Sequence, residues 1–195
     1  QMITLVREYI NKKKLFLIED KLILAISGGA DSVCLMHVLL DLGIQFDLAH
    51  CNFKLRAKES DTDEVFVKEL AKKHSLKLYC KSFPTKEYAN QNKISMQMAA
   101  RDLRYSWFNE LLKSENAKYI AVAHHQDDAI ETFFINLIRG SGIAGLIGIS
   151  EKKDNIVRPL LDLNRSDIEE YLTAKKQAFR EDSSNTSVKY LRNKI

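Results

Sequence analysis

Several features are missing from this 195-residue sequence, and their absence narrows its class. No apolar run is long enough to span a lipid bilayer, and the first residues carry no secretory signal pattern. The three cysteines, Cys34, Cys51 and Cys80, are widely spaced and form no Cys-x-x-Cys pair, so we expect no iron–sulfur site. Cysteines of this kind are typical of a reducing cytoplasm, and we expect a cytoplasmic protein with no membrane partner.

The composition indicates a globular protein. Apolar residues make up 45% of the chain and charged residues 29%, which is enough core for one domain, with a small appendage at most. The formal net charge of +4 permits an RNA partner without requiring one. No internal repeat or low-complexity run is present.

The segment Ser27-Gly28-Gly29-Ala30-Asp31-Ser32 lacks the marks of two common phosphate-binding motifs. It has no lysine before a Ser or Thr, and its glycines are adjacent rather than spaced. It nevertheless joins an apolar run to a stretch of helical periodicity, which predicts a strand, a tight loop and a helix. The first N–H groups of such a helix attract anions, and the glycines and serines suit a phosphate.

Asp31 is the unusual residue of this segment, because a carboxylate beside a phosphate repels it. A divalent cation between the two groups would remove the conflict, so the segment indicates a nucleoside triphosphate with a metal ion. The alternative is an ordinary strand-to-helix turn in which Ser32 caps the helix.

Short apolar runs alternate with helical stretches along the chain. This order predicts an α/β protein with a doubly wound, mostly parallel sheet and helices on both faces. We expect a core over about residues 1–150 and a C-terminal helical segment over about 151–195. The predicted helices are 2–14, 60–74 capped by Ser60, 94–113, 127–138, and one from Asn164 to about Lys176. In the helix 94–113 the apolar spacing predicts a buried stripe of Met96, Ala100, Leu103, Trp107 and Leu111. The predicted strands are 22–26, 44–50, 76–81 and 119–123, with a loop at 82–93.

Polar residues follow three of these strands. Ser27 follows the first strand, His50-Cys51-Asn52 ends the second, and His124-His125-Gln126-Asp127-Asp128 follows the fourth. Ligands of doubly wound sheets bind at the carboxyl ends of the strands, so we expect one site at this edge.

The segment from His124 to Thr132 opens the predicted helix 127–138. Asp127 and Glu131 share one face of that helix because they are four residues apart. Acidic residues in a first turn are often only complements of the helix dipole. Two histidines and two aspartates at one strand end favour a functional role. Their spacing differs from that of zinc helices, and oxygen ligands for Mg²⁺ fit better.

Several basic residues are candidates for contacts with phosphate or RNA. Gln97, Arg101 and Arg104 fall on one helix face, although solvent-exposed arginines are common. Residues 52–58 mix basic and aromatic side chains that could contact RNA or form a surface connection. Arg139 opens a glycine-rich stretch that could close over a ligand, although Gly140 could simply end the preceding helix.

These motifs resemble those of the N-type ATP pyrophosphatases, and within that group the catalytic domain of the tRNA(Ile)-lysidine synthetase family. The broad signature matches Ser27 to Ser32. The narrower resemblance covers about residues 21–195 and departs from the family pattern at Ala100, where arginine is frequent. Its further motifs are His50 to Arg56, Ala99 to Tyr105, His124 to Thr132, Arg139 to Leu146, Arg158 to Leu161, and Asp182 to Ile195.

The resemblance implies an ATP-dependent ligase that joins free lysine to C2 of the wobble cytidine in a tRNA(Ile) with a CAU anticodon. It implies ATP contacts from Ser27 to Ser32, His50 and Arg101, and Mg²⁺ ligation by Asp31 and Asp127. Catalytic roles fall on Asp31, Arg104, Asp127 and Glu131, with Glu131 as the lysine contact. Contacts with tRNA are expected from Lys54, Arg56 and Arg139.

Two further expectations concern assembly and alternatives. Synthetases of this family usually continue into C-terminal tRNA-binding domains, which we expect these 195 residues to lack, and a homodimer is left open. A tRNA thiolase would use the same loop but usually needs catalytic cysteines or a Cys-x-x-Cys pair. A non-catalytic nucleotide-binding module would keep Gly28 and Gly29 without needing Asp127, Asp128 and Glu131 together.

Overall fold

A computed structural model describes residues 1–138, 140 and 148–181, without the side chains of Glu131, Thr132 and Ile135. Six strands form one sheet in the order β3-β2-β1-β4-β6-β5. All neighbouring strands run parallel except the β5–β6 pair, so the predicted doubly wound α/β architecture is confirmed. The strands are β1 Leu22–Ala25, β2 Phe46–Asn52, β3 Leu78–Ser82, β4 Tyr119–Ala121, β5 Lys152–Lys153 and β6 Ile156–Val157.

The helices of the described residues cover both faces of the sheet. Leu22 and Leu24 of β1 pack with residues of α1, α2, α3 and α7, whereas Ile23 packs with Trp107 and Phe108 of α5 on the opposite face. None of these helices is long and apolar enough to cross a membrane. They are α1 Met2–Lys13, α2 Ala30–Asp41, α3 Ala57–Lys73, α4 Thr85–Asn92, α5 Met96–Ser114, α6 Gln126–Ile138 and α7 Arg165–Ala174.

Local chemistry explains where several helices begin. Ser95 caps α5 by accepting a hydrogen bond from the Met98 amide at 3.1 Å. Asn164 caps α7 as predicted, and it forms a capping box with Asp167. The prediction that Ser60 caps α3 is wrong, because α3 begins at Ala57 and the Ser60 hydroxyl accepts from the Arg56 amide inside the first turn.

Two elements were missed by the sequence patterns. The stretch 82–93 was predicted to be a loop, but α4 occupies Thr85–Asn92 and buries Thr85 and Ala89. The sequence of α4 is mostly polar, so its short buried face produces no visible apolar periodicity. The β5–β6 hairpin has only two residues in each strand, too few for an alternating pattern, and both strands lie beyond residue 150.

Two predicted positions shift within correctly predicted elements. The second strand is β2, Phe46–Asn52, rather than 44–50, so His50, Cys51 and Asn52 lie within the strand. The predicted buried stripe of α5 was Met96, Ala100, Leu103, Trp107 and Leu111. The buried residues of α5 are instead Ala99, Trp107, Phe108, Leu111 and Leu112.

Candidate functional site

The candidate site lies where the sheet reverses its winding direction. Strand β1 is paired with β2 on one side and with β4 on the other, and the chain leaves β1 and β4 into α2 and α6. A cleft of about 370 Å³ opens at this edge, as expected for a topological switch point. It is lined by predicted site residues, namely Ser27, Asp31, Ser32, His50, Arg56 and Arg104.

A larger cavity of about 540 Å³ lies elsewhere, between α1 and residues 159–167. Its lining includes Tyr9, Lys12 and Asp162 but none of the predicted site residues. Because chemistry rather than size identifies a site, we take the cleft at the switch point as the functional one.

Two serine hydroxyls shape the loop between β1 and α2. The Ser32 hydroxyl accepts hydrogen bonds from the amides of Ser27 and Gly28, at 3.1 and 3.2 Å. The Ser27 hydroxyl accepts from the Gly29 amide at 3.2 Å. The loop therefore curls around its own hydroxyl groups and holds a defined shape.

Gly28 is required by this shape. Its φ is +93°, and a Cβ there would lie 3.2 Å from Cδ1 of Phe66 and 3.3 Å from Cγ2 of Val67. Any side chain would be strained by the backbone conformation and would also press on α3. Position 28 therefore favours glycine for two independent reasons, the positive φ and the lack of space for a side chain.

The start of α2 offers free amides to the cleft edge. The N-cap is Gly29, which has no side-chain cap, so the alternative in which Ser32 caps the helix is wrong. The first intrahelical bond runs from the Val33 amide to the Gly29 carbonyl at 3.0 Å. The amides of Ala30, Asp31 and Ser32 precede that bond, and such groups are suited to an anion.

Asp31, which lines the cleft, forms a cluster with His125 and Asp128. Nε2 of His125 lies 3.1 Å from Oδ2 of Asp31 and 3.6 Å from Oδ2 of Asp128. One ligand atom from each of the three residues lies within 4.8 Å of the others. The cluster joins the phosphate-type loop to the start of α6, and its donors have the spacing of a metal site.

The hydrogen bonds of His125 decide which of these atoms could bind a cation. Its Nδ1 accepts the Asp127 amide at 3.2 Å, so the proton of a neutral ring lies on Nε2. A protonated Nε2 cannot ligate a metal, and that buried atom has no well-aligned hydrogen-bond partner among the described residues. The carboxylates of Asp31 and Asp128 are therefore the donors, and an oxygen set suits Mg²⁺.

The carboxylates around His125 affect its pKa. Burial lowers the pKa of His125, but the nearby carboxylates of Asp31, Asp128 and Asp127 together outweigh burial, so the pKa is raised. The residue is 1% exposed in its side chain and sits between partly exposed carboxylates. We infer that His125 orients Asp31 and Asp128 and offsets their mutual repulsion.

The structure places Asp127 and Asp128 differently, and Mg²⁺ ligation by Asp127 stays a prediction. The cluster contains Asp128, whose Oδ2 also accepts the His125 amide at 2.9 Å, whereas Asp127 contributes its amide to the His125 ring. The sequence pattern could not separate two adjacent aspartates. The choice depends on which one faces α2.

His50 fastens β2 to the end of β1. Its ring Nδ1 lies 2.7 Å from the Ile26 carbonyl oxygen, and a carbonyl can only accept, so Nδ1 donates. The side chain is buried, yet it lines the cleft. His50 thereby holds the strand end that leads into the loop.

Two arginines of α5 differ in their relation to the cleft. Arg104 is half-buried, lines the cleft, and lies over the Phe53 ring at 5.2 Å. Arg101 is exposed, lies over the Tyr105 ring at 5.1 Å, and is not among the residues that line the cleft. The structure therefore brings Arg104, and not Arg101, to the cleft wall.

The basic residues after β2 are engaged within the protein. The ammonium of Lys54 lies 2.6 Å from Oδ1 of Asp61, which also accepts from the Asn52 amide group. Arg56 lies 3.7 Å from Glu59 and lines the cleft. The side chain of Glu131, together with Arg139 and the predicted motif Asp182 to Ile195, lies outside the described residues.

Two arginines near the site make contacts that no sequence pattern indicates. Arg158 donates from Nε to Nδ1 of His124 at 3.0 Å, although 34 residues separate them. The backbone amide of Arg180 donates to the Gly28 carbonyl at 2.9 Å. The side-chain Nε of Arg180 lies 3.1 Å from Oδ1 of Asp63. Both arginines reach the site through the fold, so no local pattern indicates their role.

Comparison with known proteins agrees with this geometry. Residues 3–195 match the model of the PP-loop domain family, and the chain belongs to that family. A tRNA(Ile)-lysidine synthase of Bacteroides thetaiotaomicron is 52% identical over 96% of this chain, and one of Clostridium tetani is 37% identical over 100% of it. The chain spans 44% and 43% of the lengths of these relatives.

Solved structures of low sequence similarity share the fold. The U34-tRNA thiolase NcsA of Methanococcus maripaludis, solved with its [4Fe-4S] cluster, has a TM-score of 0.74 at 15% identity and covers 92% of this chain and 64% of its own. The NH3-dependent NAD synthetase of Campylobacter jejuni has a TM-score of 0.59 at 14% identity, covering 98% and 80%. These likenesses concern architecture alone.

Proposed function

We propose that this chain is the ATP-using part of an enzyme that joins lysine to C2 of the wobble cytidine of a tRNA(Ile) with a CAU anticodon. The observation that carries the proposal is the cleft at the start of α2, where the amides of the first helical turn lie beside the cluster that contains the carboxylates of Asp31 and Asp128. The relatives named tRNA(Ile)-lysidine synthase supply the substrate class. The product, lysidine, pairs with A instead of G.

The reaction needs ATP because the cytosine O2 is a poor leaving group. Attack of O2 on the α-phosphorus of ATP forms a C2–O–P linkage and releases pyrophosphate. The lysine ε-amine then attacks C2, the C2–O bond breaks, and AMP leaves with that oxygen. The amine must lose a proton to a base before or during its attack.

The residues of the loop fit the pyrophosphate part of this reaction. The amides of Ala30, Asp31 and Ser32, at the start of α2, would donate to phosphate oxygens, with the hydroxyls of Ser27 and Ser32 beside them. Gly28 and Gly29 allow the close approach of the backbone. Arg104, on the opposite wall, would neutralise charge that develops on phosphate.

A divalent cation fits the cluster at the end of the cleft. Asp31 and Asp128 would hold Mg²⁺, with Asp127 as the candidate that the sequence favoured. Bound there, the ion would reduce the electrostatic repulsion between the negative phosphates and the attacking oxygen. The proton on Nε2 of His125 would keep both carboxylates oriented toward it.

Lysine and tRNA contacts belong to the less constrained part of the proposal. Glu131 shares a face of α6 with Asp127 and is our candidate for the lysine ammonium. Arg56 lines the cleft and Arg139 follows α6, so both are candidates for tRNA phosphate. Lys54 joins them only if its contact with Asp61 breaks. The proposal includes a cytoplasmic location and leaves a homodimer open.

A tRNA thiolase is the second candidate, because the same loop serves that class and the thiolase NcsA shares the fold of this chain. Sulfur transfer of that kind relies on thiolates. Burial raises the pKa of Cys51 to about 12, although Cys51 lines the cleft, and burial raises the pKa of Cys34 to about 12 as well. The three cysteines of the chain thus favour the lysine reaction.

Pyrophosphate release tests the proposal. The protein is mixed with Mg-ATP, lysine and a tRNA(Ile) transcript with a CAU anticodon, and each component is omitted in turn. We expect release that requires the tRNA, with AMP accumulating only when lysine is added. Release that requires a sulfur donor would favour the thiolase, and tRNA-independent ATP binding without turnover would favour a nucleotide-binding module.

A further inference from the structure

Arg158 is a buried arginine that has no carboxylate partner among the described residues. It is 7% exposed and lies just after β6. Its Nε donates to Nδ1 of His124 at 3.0 Å, and its Nη1 donates to the Ser150 carbonyl at 2.7 Å. The charged groups of the described chain that act on its pKa, after burial, are Tyr105 and Arg101, neither of which is a carboxylate.

Burying a guanidinium without an opposing charge is costly, so a function is the simplest reason to retain one. The group that accepts the hydrogen bond from Nε of Arg158 is an imidazole, which is a weaker acceptor than a carboxylate. What Arg158 gains from this contact is small. What His124 gains is a fixed proton position.

The contact determines the tautomer of His124. Arginine nitrogens only donate, so Nδ1 of His124 accepts and carries no proton. The proton of the neutral ring therefore lies on Nε2, and His124 lines the cleft. Burial is the first cause that lowers the pKa of His124, and Arg158, Arg104 and Arg101 lower it further against the opposing carboxylate of Asp128.

We propose that Arg158 is a positioning residue that holds His124 in the Nε2-protonated tautomer, so that His124 offers the cleft a permanent N–H donor for an anionic phosphate oxygen. Arg158 donates to His124 and Arg104 lines the same cleft, so the charge beside His124 suits an anionic phosphate oxygen rather than a neutral acceptor. The choice of nucleotide phosphate rests on the proposed function. A consequence is that His124 is not the base that deprotonates lysine.

The tautomer is measurable in the free protein, without any ligand. The chain contains 5 histidines, and two-bond ¹H–¹⁵N correlation spectra of ¹⁵N-histidine-labelled protein separate the two tautomers. The signals of His124 are assigned by their loss in His124→Gln. We expect Nε2 protonated and Nδ1 unprotonated in the wild type. A proton on Nδ1, or an even mixture of tautomers, would overturn the proposal.

Substitution of Arg158 tests the cause. In Arg158→Met we expect His124 to become a mixture of tautomers, whereas Arg165→Met, which removes an exposed arginine from α7, leaves the spectrum unchanged. Circular dichroism checks the fold of both. If Arg158→Met is folded and His124 keeps one tautomer, Arg158 is not the positioning residue. If it does not fold, the wild-type spectrum still decides the proton position.

Binding of Mg-ATP tests the use of the donor. The amide nitrogen of glutamine mimics Nε2 of histidine, and that of asparagine mimics Nδ1. We expect His124→Asn to weaken ATP binding about tenfold and His124→Gln to weaken it less. Equal losses would refute the Nε2 donor. If the wild type binds no ATP while the predicted tautomer is present, the proposed function fails and the positioning by Arg158 stands.

Discussion

Nε2 of His125 lies 3.1 Å from Oδ2 of Asp31 and thereby ties the loop after β1 to the start of α6. Asp31 lies in the first turn of α2 and His125 just before α6, so the two residues follow the neighbouring strands β1 and β4 although they are 94 residues apart in sequence. Since Nδ1 of His125 accepts the Asp127 amide, its Nε2 can act only as a donor toward the carboxylates. One histidine thus lies close to both carboxylates of the cluster.

The adjacent aspartates of α6 give the first prediction. Asp128→Asn is expected to weaken Mg-ATP binding by about tenfold or more, because Asp128 belongs to the carboxylate cluster. Asp127→Asn is the matched control, and we expect a smaller loss because its amide, which the substitution keeps, makes the contact with His125. Titration calorimetry at several Mg²⁺ concentrations distinguishes them. A larger loss in Asp127→Asn would return the metal role to Asp127.

The two arginines of α5 give the second prediction. Arg104→Ala should lower the rate of pyrophosphate release on the order of a hundredfold, since Arg104 lines the cleft. Arg101→Ala should have a much smaller effect, because its exposed side chain lies outside the cleft lining. Rates are compared at saturating ATP. Equal effects of the two substitutions would mean that both arginines reach the phosphates when the ligand is bound.

The third prediction concerns the loop backbone. Gly28→Ala should lower the free energy of unfolding by about 2–3 kcal/mol, since strain from a φ of +93° adds to contacts of 3.2 and 3.3 Å with α3. Gly43→Ala is the control, with a φ of +70° and no atom within 4 Å of the added Cβ. We expect it to cost about 1 kcal/mol. Urea denaturation measures both, and equal costs would show that the contacts with Phe66 and Val67 are unimportant.

The fourth prediction concerns pH and the contact between α2 and α7. Asp41 accepts from the Tyr171 hydroxyl at 2.6 Å and pairs with Lys175. Burial raises the pKa of Asp41, but its hydrogen bonds with Lys175 and Tyr171 outweigh burial and lower it overall. Its contribution to stability is therefore present above the unfolded pKa of about 3.9 and is lost as pH falls through the lower folded value.

Asp41→Asn tests that contribution. The side chain is about a third exposed, so solvent screening limits the cost at pH 7 to roughly 0.5–1 kcal/mol. The difference from wild type should vanish as the pH falls below the folded pKa. Glu170→Gln, which removes an exposed charge from α7, should show no such pH dependence. A difference that persists in acid would assign the effect to packing rather than charge.

The sequence predicted the sheet and most elements because their signals are local. The apolar run at 22–26, the following glycine pair, and the cap at Asn164 each determine structure within a few residues. α4 was missed because its eight residues bury only Thr85 and Ala89, too few for a visible periodicity. The β5–β6 hairpin was missed for the same reason of length.

The site was predictable as a region but not as a set of contacts. Polar residues at strand ends converge whenever the strands are parallel neighbours, so Asp31 and the segment from His124 could be placed together. Which aspartate faces α2 depends on a rotation of α6 of about 100° per residue, which no pattern determines. Arg158 and Arg180 reach the site by long-range packing and have no local signal.

Binding of ATP to the protein tests the central claim most directly. Titration calorimetry with Mg-ATP compares the wild type, Asp31→Asn and Asp20→Asn, the last removing an aspartate that pairs with Lys118 outside the cleft lining. We predict one ATP per chain for the wild type and Asp20→Asn, with binding at least tenfold weaker in Asp31→Asn. No ATP binding by the wild type, or equal affinity in all three proteins, would contradict the assignment of this cleft.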